Sequence, residues 1–202
     1  MISGIILAAG ASTRFGSQKL LAPVDGKPIV YHATRHALAA SLDELVVVVS
    51  PDSEMVQGAV LDLPVRLARG GPEEMSTSLR AGVAAVAGDP RVEAVVVLLG
   101  DQPAIAPAVI DALIAEFRRS GKPVVVPLYQ GERGHPALFA ASIFPELLAV
   151  RGDRGARDVI ATDPSRVATV RFDFAVPRDV DTPADLHALR DGRNAPLPDA
   201  TG

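Results

Sequence analysis

The 202-residue sequence contains no cysteine and no tryptophan. Without cysteine, disulfide bonds, thiolate nucleophiles and cysteine-ligated metal centres are all excluded. Aromatic residues make up only 4% of the chain, so its core must be aliphatic, as in buried parallel strands. There is also no excess of positive charge: the formal net charge of -4 argues against broad electrostatic attraction to nucleic acid or an anionic membrane. Any bound phosphate must therefore be held by local groups.

The amino-terminal residues lack the basic region and the long apolar run of a secretory signal or a membrane span. We therefore expect a cytoplasmic protein. Hydrophobic residues at 48% and charged residues at 22% are typical of a folded chain. We expect one domain over residues 1–190, followed by a flexible polar tail over residues 191–202.

Apolar runs alternate with segments of helical spacing along most of the chain. This order predicts an α/β fold, with a mostly parallel, twisted sheet covered by helices on both faces. Predicted strands cover residues 4–9, 45–49, 65–68, 94–99, 123–127 and 167–172, and predicted helices cover 28–40, 75–87, 107–119, 142–148, 153–161 and 182–189.

The alternation changes after Tyr129. The segment 130–134 is polar and rich in glycine, and a short apolar run over residues 137–140 follows it. This pattern predicts a small β insertion, a hairpin or lid that lies beside the sheet.

The segment that leaves the first predicted strand combines small residues with glycines and cations. Gly10 and Gly16 let backbone N–H groups approach phosphate oxygens, Arg14 offers a planar fork of donors, and Lys19 adds a point charge. Ligands of open parallel sheets bind beyond the carboxyl ends of the strands. The sequence thus predicts a phosphate-binding loop with Arg14 and Lys19 as catalytic cations; the alternative is an ordinary strand-to-helix turn.

Spacing excludes the two best-known phosphate loops. A Walker A loop needs lysine directly after its second glycine, but Lys19 follows Gly16 by three positions. The pattern G-x-G-x-x-G fails because Ser12 and Phe15 stand at its second and third glycine positions.

Residues 7–19, LAAGASTRFGSQK, resemble the signature L-A-[AG]-G-x-[SG]-x-R-[MF]-G-x-x-K of the MobA-like nucleotidyltransferases. The Leu-Ala-Ala-Gly form is similar to the branch of molybdenum cofactor cytidylyltransferases, whereas guanylyltransferases usually show Leu-Ala-Gly-Gly. The resemblance implies a Rossmann-like, three-layer nucleotidyltransferase fold. It also implies a nucleotide site at Leu7, Ala8, Ala9 and Gly10, with Ala9 favouring CTP over GTP.

Asp101 follows a buried apolar run, and Gly100 before it allows close approach of the backbone. Mg²⁺ commonly binds through one or two carboxylates together with substrate phosphates, so Asp101 is a candidate ligand; the alternative is a turn residue that caps a helix. The segment Gly-Asp-Gln-Pro resembles the family's metal-binding segment. The resemblance implies that Asp101 binds Mg²⁺ and is catalytic, with Gly100 and Gln102 at the nucleotide.

Asp181 is a second candidate for the metal. The segment 179–185, DVDTPAD, resembles a family pattern D-[IV]-D-T-P-x-D. Thr182 and Pro183 also form a good helix start, so Asp179 or Asp181 is alternatively a helix cap.

Hydroxyl side chains follow a glycine-rich turn at residues 70–78 and offer donors and acceptors to a base edge; the alternative is plain capping of a helix. The segment resembles G-M-S-x-S-[LI]-x-x-G of the family, which implies that Met75, Ser76 and Ser78 lie beside the nucleotide base. Glu74 departs from this pattern, because relatives usually have glycine there.

Two further segments resemble the acceptor side of the family, R-G-H-P at 133–136 and G-D-R-G-A-R at 152–157. They imply that His135, Arg154 and Arg157 contact the acceptor. The alternative for His135 is a structural or surface hydrogen-bonding role, which is the more frequent role of a lone histidine.

With these features, the resemblance implies a magnesium-dependent enzyme that transfers CMP from CTP to the terminal phosphate of molybdopterin and releases pyrophosphate. The nucleophile is already an anion, so alignment and charge neutralisation suffice. A molybdoenzyme or its chaperone is a further expected partner, and neither nucleic acid nor a membrane is expected. The alternatives are a GTP-dependent molybdopterin guanylyltransferase, a CTP-dependent sugar- or polyol-phosphate cytidylyltransferase, and a non-catalytic cofactor-binding or molybdoenzyme assembly protein.

Overall fold

The computed structural model describes residues 1–10, 19–71, 74–152 and 155–190. In these residues strands and helices alternate along most of the chain. The strands are β1 (Ile2–Ala8), β2 (Pro23–Val24), β3 (Lys27–Pro28), β4 (Glu44–Val49), β5 (Arg66–Arg69), β6 (Ala94–Leu99), β7 (Val124–Tyr129), β8 (Glu132–Arg133), β9 (Ala137–Ala140) and β10 (Val167–Phe172). The helices are α1 (Ile29–Leu38), α2 (Glu54–Val60), α3 (Met75–Ala87), α4 (Pro107–Ser120), α5 (Phe144–Ala149), α6 (Arg157–Thr162) and α7 (Pro183–Arg190).

One sheet organises the fold, with the strand order β10-β7-β9-β6-β1-β4-β5 and with β8 paired to β7. The strands β6, β1, β4 and β5 are parallel neighbours, and β10 is parallel to β7. Between β6 and β7 lies β9, antiparallel to both. The strands β2 and β3 form a separate antiparallel hairpin.

Alternating side chains of the central strands bury apolar surface on both faces of the sheet. In β4, Val47 and Val49 pack on the face covered by α1, α2 and α4, while Val46 and Val48 pack on the face covered by α3, α5 and α6. Period-two alternation with aliphatic residues at every position is the pattern of a strand buried on both sides. Each fully buried valine or leucine side chain contributes about 1.5–3 kcal/mol through removal from water.

The helix α3 lies very close to β1. A Cβ atom at Gly82 would overlap the side chain of Ile5, so only glycine allows this approach. The contact brings the first turn of α3, which starts at Met75, to the edge where β1 ends.

The predicted fold class, a mostly parallel sheet with helices on both faces, is confirmed. The bounds of α3, β6 and β10 agree with those predicted. The predicted position of the apolar run 137–140 is wrong: it does not form a lid beside the sheet but is β9, inside it. The helix α2 and the hairpin of β2 and β3 were not predicted from the sequence, and the predicted tail over 191–202 lies outside the described residues.

None of the helices in the described ranges combines the length and the apolar character needed to cross a bilayer.

Candidate active site

A cleft of about 750 Å³ lies beyond the carboxyl ends of β1 and β6. This volume lies within the roughly 300–1,000 Å³ of small-molecule sites in proteins. Its described lining residues come from five parts of the chain: Leu7, Ala8, Ala9, Gly10, Lys19 and Leu20; Gly71, Glu74, Met75 and Ser78; Leu99, Asp101 and Gln102; Arg133, Gly134 and His135; and Arg157, Val176 and Asp179.

The register of β1 and β6 places the first loop beside Asp101. Leu7 pairs with Leu99, and the N–H of Gly100 then donates to the carbonyl oxygen of Leu7 at 2.9 Å. A Cβ atom at Gly100 would lie 3.1 Å from the Cβ of Ala8, tighter than most contacts of that kind, so glycine permits the close approach. Asp101 therefore leaves the sheet next to the residues that follow β1.

Lys19 joins two carboxylates from distant parts of the chain. Its Nζ lies 2.7 Å from Oδ2 of Asp101 and 2.7 Å from Oδ1 of Asp181. Burial acts to lower the pKa of Lys19, but the adjacent charge and hydrogen bonds of Asp101 and Asp181 outweigh it and hold the pKa above its usual value. The side chain is therefore a permanent ammonium group at neutral pH.

Asp179 and Gln102 form a second contact beside this ion cluster. Nε2 of Gln102 donates a short hydrogen bond to Oδ1 of Asp179. Gln102 is only 4% exposed, and its Oε1 is buried without a hydrogen-bond partner in the described part of the chain. Burial raises the pKa of Asp179, and the negative charge of Asp101 adds to the increase.

The start of α3 is tied to the segment before α6. Oε2 of Glu74 accepts from Oγ of Ser76 at 2.9 Å and from the N–H of Gly152 at 2.9 Å. The hydrogen bond from Gly152, followed by that from Ser76, lowers the pKa of Glu74. Glu74 thus links two segments that border the cleft. Oγ of Ser78 donates to the carbonyl oxygen of Gly71 at 3.1 Å.

A smaller, mostly apolar pocket of about 220 Å³ adjoins the cleft near His135 and Arg157. Val126, Ala137 and Phe139 of the sheet contribute to its walls. Burial lowers the pKa of His135, and the positive charge of Arg157 lowers it further. His135 is therefore neutral at pH 7, and its Nδ1 is buried without a hydrogen-bond partner among the described residues.

The structure gathers most of the predicted site residues around one cleft. Ser76 does not line it: this residue is fully buried behind the cleft, where its hydroxyl group contacts Glu74. Gly100 lies behind the lining, against β1. The predicted residues Arg14 and Arg154 lie outside the described residues.

Two residues of the site were not predicted as site residues from the sequence. Asp179 was weighed as a helix cap, yet it lines the cleft. The signal was its spacing of two residues from Asp181, with the apolar Val180 between them. Glu74 was noted as a departure from the family pattern, but its link to Gly152, distant in sequence, was not visible from local spacing.

Comparison with known proteins gives the site a family context. Residues 4–168 match the MobA-like NTP transferase domain. The chain is 32% identical over 152 residues to a probable molybdenum cofactor guanylyltransferase of Thermococcus gammatolerans, an alignment that covers 72% of each protein. It is 27% identical over 198 residues to the purine catabolism protein PucB of Bacillus subtilis, with 93% of this chain and 95% of PucB covered. Among solved structures, Rv0371c of Mycobacterium tuberculosis H37Rv in complex with manganese superposes with a TM-score of 0.81 at 30% identity, covering 94% of this chain and 98% of that chain.

Proposed function

We propose that this chain, which belongs to the family of MobA-like NTP transferase domains, transfers CMP from CTP to molybdopterin with release of pyrophosphate. Nucleotidyl transfer follows from the family, and the nucleotide and the acceptor are our proposal. The observation that carries it is the ion cluster at the carboxyl ends of β1 and β6: Lys19 and Asp101 line the cleft, and Asp181 contacts Lys19.

The proposed reaction is one in-line displacement. An oxygen of the acceptor's terminal phosphate forms a bond to the α-phosphorus of CTP, and the bond from that phosphorus to the bridging oxygen of the β-phosphate breaks. Pyrophosphate leaves with the bonding electrons. Lys19, the backbone near Gly10 and, as the sequence predicts, Arg14 hold the phosphates and neutralise the developing charge.

The carboxylates suit a divalent cation such as Mg²⁺. Asp101 and Asp181 already converge on one cationic atom, Nζ of Lys19, from opposite parts of the chain. The described residues contain no cluster of three or more His, Cys, Asp or Glu side chains that would bind a metal alone. Two carboxylates are enough to fit Mg²⁺, because its remaining ligands are commonly phosphate oxygens and water. The cation would supply charge neutralisation at the phosphates. That the similar protein Rv0371c was solved in complex with manganese supports a role for a divalent cation.

Two observations bear on the choice of nucleotide, and they favour different bases. Ala9 lines the cleft and is only 3% exposed, and the Leu-Ala-Ala-Gly form of its segment favours CTP by resemblance. The relative from Thermococcus gammatolerans is named a probable guanylyltransferase, which makes GTP the second candidate.

Release of pyrophosphate tests the proposal. The purified chain is incubated with Mg²⁺, molybdopterin and either CTP, GTP, ATP or UTP. We expect turnover to be fastest with CTP and to depend on the acceptor. Asp101→Ala should reduce the rate by at least about a hundredfold, because a preorganised charge at the reacting phosphate is worth several kcal/mol. Asp62→Ala, which alters an exposed turn away from the cleft, is the matched control.

Faster turnover with GTP than with CTP would show that GTP is the substrate, and the reaction would still be a nucleotidyl transfer. Pyrophosphate release by Asp101→Ala at the wild-type rate would contradict the assignment of the site.

A further inference from the structure

We propose that Gln102 and Asp179 are a positioning pair that holds Asp181 opposite Asp101. The pair would act through Asp181 and would not contact the nucleotide base. This inference rests on the proposed function, because it assigns Asp181 to the cation of the transfer reaction.

Two hydrogen bonds fasten the segment 179–181 to the residues that follow β6. The side chain of Gln102 donates to Asp179, and the N–H of Val180 donates to the carbonyl oxygen of Asp101 at 3.0 Å. Consecutive residues on one segment are thus bonded to consecutive residues on the other. A shift of either segment along the other would break both bonds.

Burial of Val180 also fixes this segment. Val180 is fully buried in a small cluster with Ala22, just before β2, Val24 of β2 and Ile29 at the start of α1. Asp181 next to it reaches Lys19. Its N–H and that of Thr182 both donate to Oδ2 of Asp185, so the following helix start is tied down as well.

A neutral side chain at position 102 suits the local charge. Three carboxylates meet here, those of Asp101, Asp179 and Asp181, and Lys19 bridges two of them. The amide of Gln102 satisfies Asp179 without adding charge and leaves Asp181 to face the cation position. The Nε2 group of Gln102 is then engaged by Asp179.

Four variants separate positioning from direct binding of a cation. Gln102→Leu and Asp179→Ala each remove the hydrogen bond, whereas Asp179→Asn keeps an acceptor oxygen and removes the charge. The fourth variant combines Gln102→Leu with Asp179→Ala. The readout is Mn²⁺ binding to the full chain in the presence of CTP, measured by electron paramagnetic resonance. Melting temperatures confirm that each variant is folded.

We expect the Mn²⁺ concentration at half-saturation to rise about tenfold in Gln102→Leu and in Asp179→Ala, and to stay within about twofold in Asp179→Asn. The double variant should also show about a tenfold rise, because both substitutions remove one interaction. At saturating Mn²⁺, the kcat of the single variants should recover to within about threefold of wild type. An equal loss of Mn²⁺ affinity in Asp179→Asn and Asp179→Ala would overturn the proposal, because the charged carboxylate of Asp179 would then itself bind the cation. Additive losses in the double variant would overturn it too.

Hydrogen exchange in the ligand-free protein gives a test that does not depend on activity. The N–H groups of Val180 and Asp181 should exchange about tenfold faster in Gln102→Leu and Asp179→Ala than in wild type or Asp179→Asn. Unchanged exchange in both of the first two variants would overturn the proposal. A wild-type chain that binds no Mn²⁺ with any nucleotide would instead contradict the proposed function.

Discussion

Lys19 neutralises two carboxylates with one ammonium group, 2.7 Å from each. On the proposed assignment of Asp101 and Asp181 to a divalent cation, Lys19 competes with that cation in the absence of nucleotide. We expect Lys19→Met to bind Mn²⁺ alone about five- to tenfold more tightly than wild type, because a partly exposed ion pair of this kind is worth about 1 kcal/mol. The same variant should lose at least about a hundredfold in turnover, since it lacks the ammonium group that we propose holds the phosphates.

Isothermal titration of Mn²⁺ without nucleotide measures this effect. Lys27→Met is the matched control, because Lys27 is exposed and its Nζ lies over the ring of Tyr31, outside the cleft lining. Weaker Mn²⁺ binding by Lys19→Met than by wild type would show that the ammonium group does not compete with the cation.

His135 predicts a pH dependence of stability. Burial lowers its pKa in the native state, as it also does for His36. As the pH falls through about 6.5, the unfolded chain gains protons that native His135 does not accept, so the free energy of unfolding falls. At pH 5.5 one histidine contributes up to about 1.4 kcal/mol to this loss.

Denaturant unfolding of wild type and His135→Gln between pH 7.5 and 5.5 measures that contribution. We expect a smaller loss of stability in the variant, with the effect of His36 present in both proteins. His187→Gln, which alters an exposed side chain of α7, should keep the wild-type slope. A parallel slope in His135→Gln would contradict a neutral, buried imidazole.

Local sequence patterns predicted the residues whose roles are indicated by the residues next to them in the chain. Asp101 follows a strand of aliphatic residues after a single glycine, and Lys19 follows a glycine-containing segment after the first strand, so both were predicted at the carboxyl-end edge of the sheet. The role of Asp179 was not predicted, because it depends on Gln102, which is far away in sequence. The helix start at Thr182 also gave Asp179 a simpler local explanation, and a local pattern offers no way to choose between the two.

At the scale of elements, Glu74 links α3 to the segment that precedes α6. Its carboxylate accepts from both Ser76 and Gly152, and the N–H of Ser76 donates back to the carbonyl oxygen of Gly152 at 3.3 Å. We expect Glu74→Ala to loosen the segment around Gly152 and to raise the rate of trypsin cleavage after Arg151 severalfold. Glu74→Gln keeps an acceptor oxygen and should stay close to the wild-type rate.

Mass spectrometry of the early tryptic fragments checks this prediction. Glu54→Ala, a change in the exposed first turn of α2, controls for a general loss of stability. Equal cleavage of wild type and Glu74→Ala after Arg151 would show that the two hydrogen bonds do not hold the segment.

Comparison of individual strands shows which parts of the fold could be predicted from the sequence. Long aliphatic runs such as β4 and β6 are buried on both faces and were predicted from composition and length alone. The four-residue strand β9 was predicted to lie beside the sheet, because its short apolar pattern does not identify the strands with which it pairs. Its antiparallel place between β6 and β7 is fixed by long-range hydrogen bonds that no local pattern contains.

For the whole molecule, the carboxylates next to the cleft add to the charge of a protein that is already acidic. Lys19 bridges Asp101 and Asp181, Gln102 contacts Asp179, and the net charge of the chain is -4. A nucleotide triphosphate should therefore bind more weakly without a divalent cation, because these carboxylates repel its phosphates. Binding of nucleotide and binding of cation are then expected to strengthen each other.

Thermal unfolding of the full chain measures how far the binding of nucleotide and the binding of cation strengthen each other. A ligand present at about a hundred times its Kd stabilises the native state by about 2.7 kcal/mol, which for a chain of this size corresponds to a rise in Tm of roughly 5–11 °C. We expect that rise with CTP and Mg²⁺ together, and less than about 2 °C with either alone. ATP and UTP with Mg²⁺ should give smaller shifts than CTP. Because Lys19→Met would free the carboxylates for the cation, Mg²⁺ alone should stabilise that variant more than wild type; equal shifts in the two proteins would contradict the coupling between Lys19 and the cation.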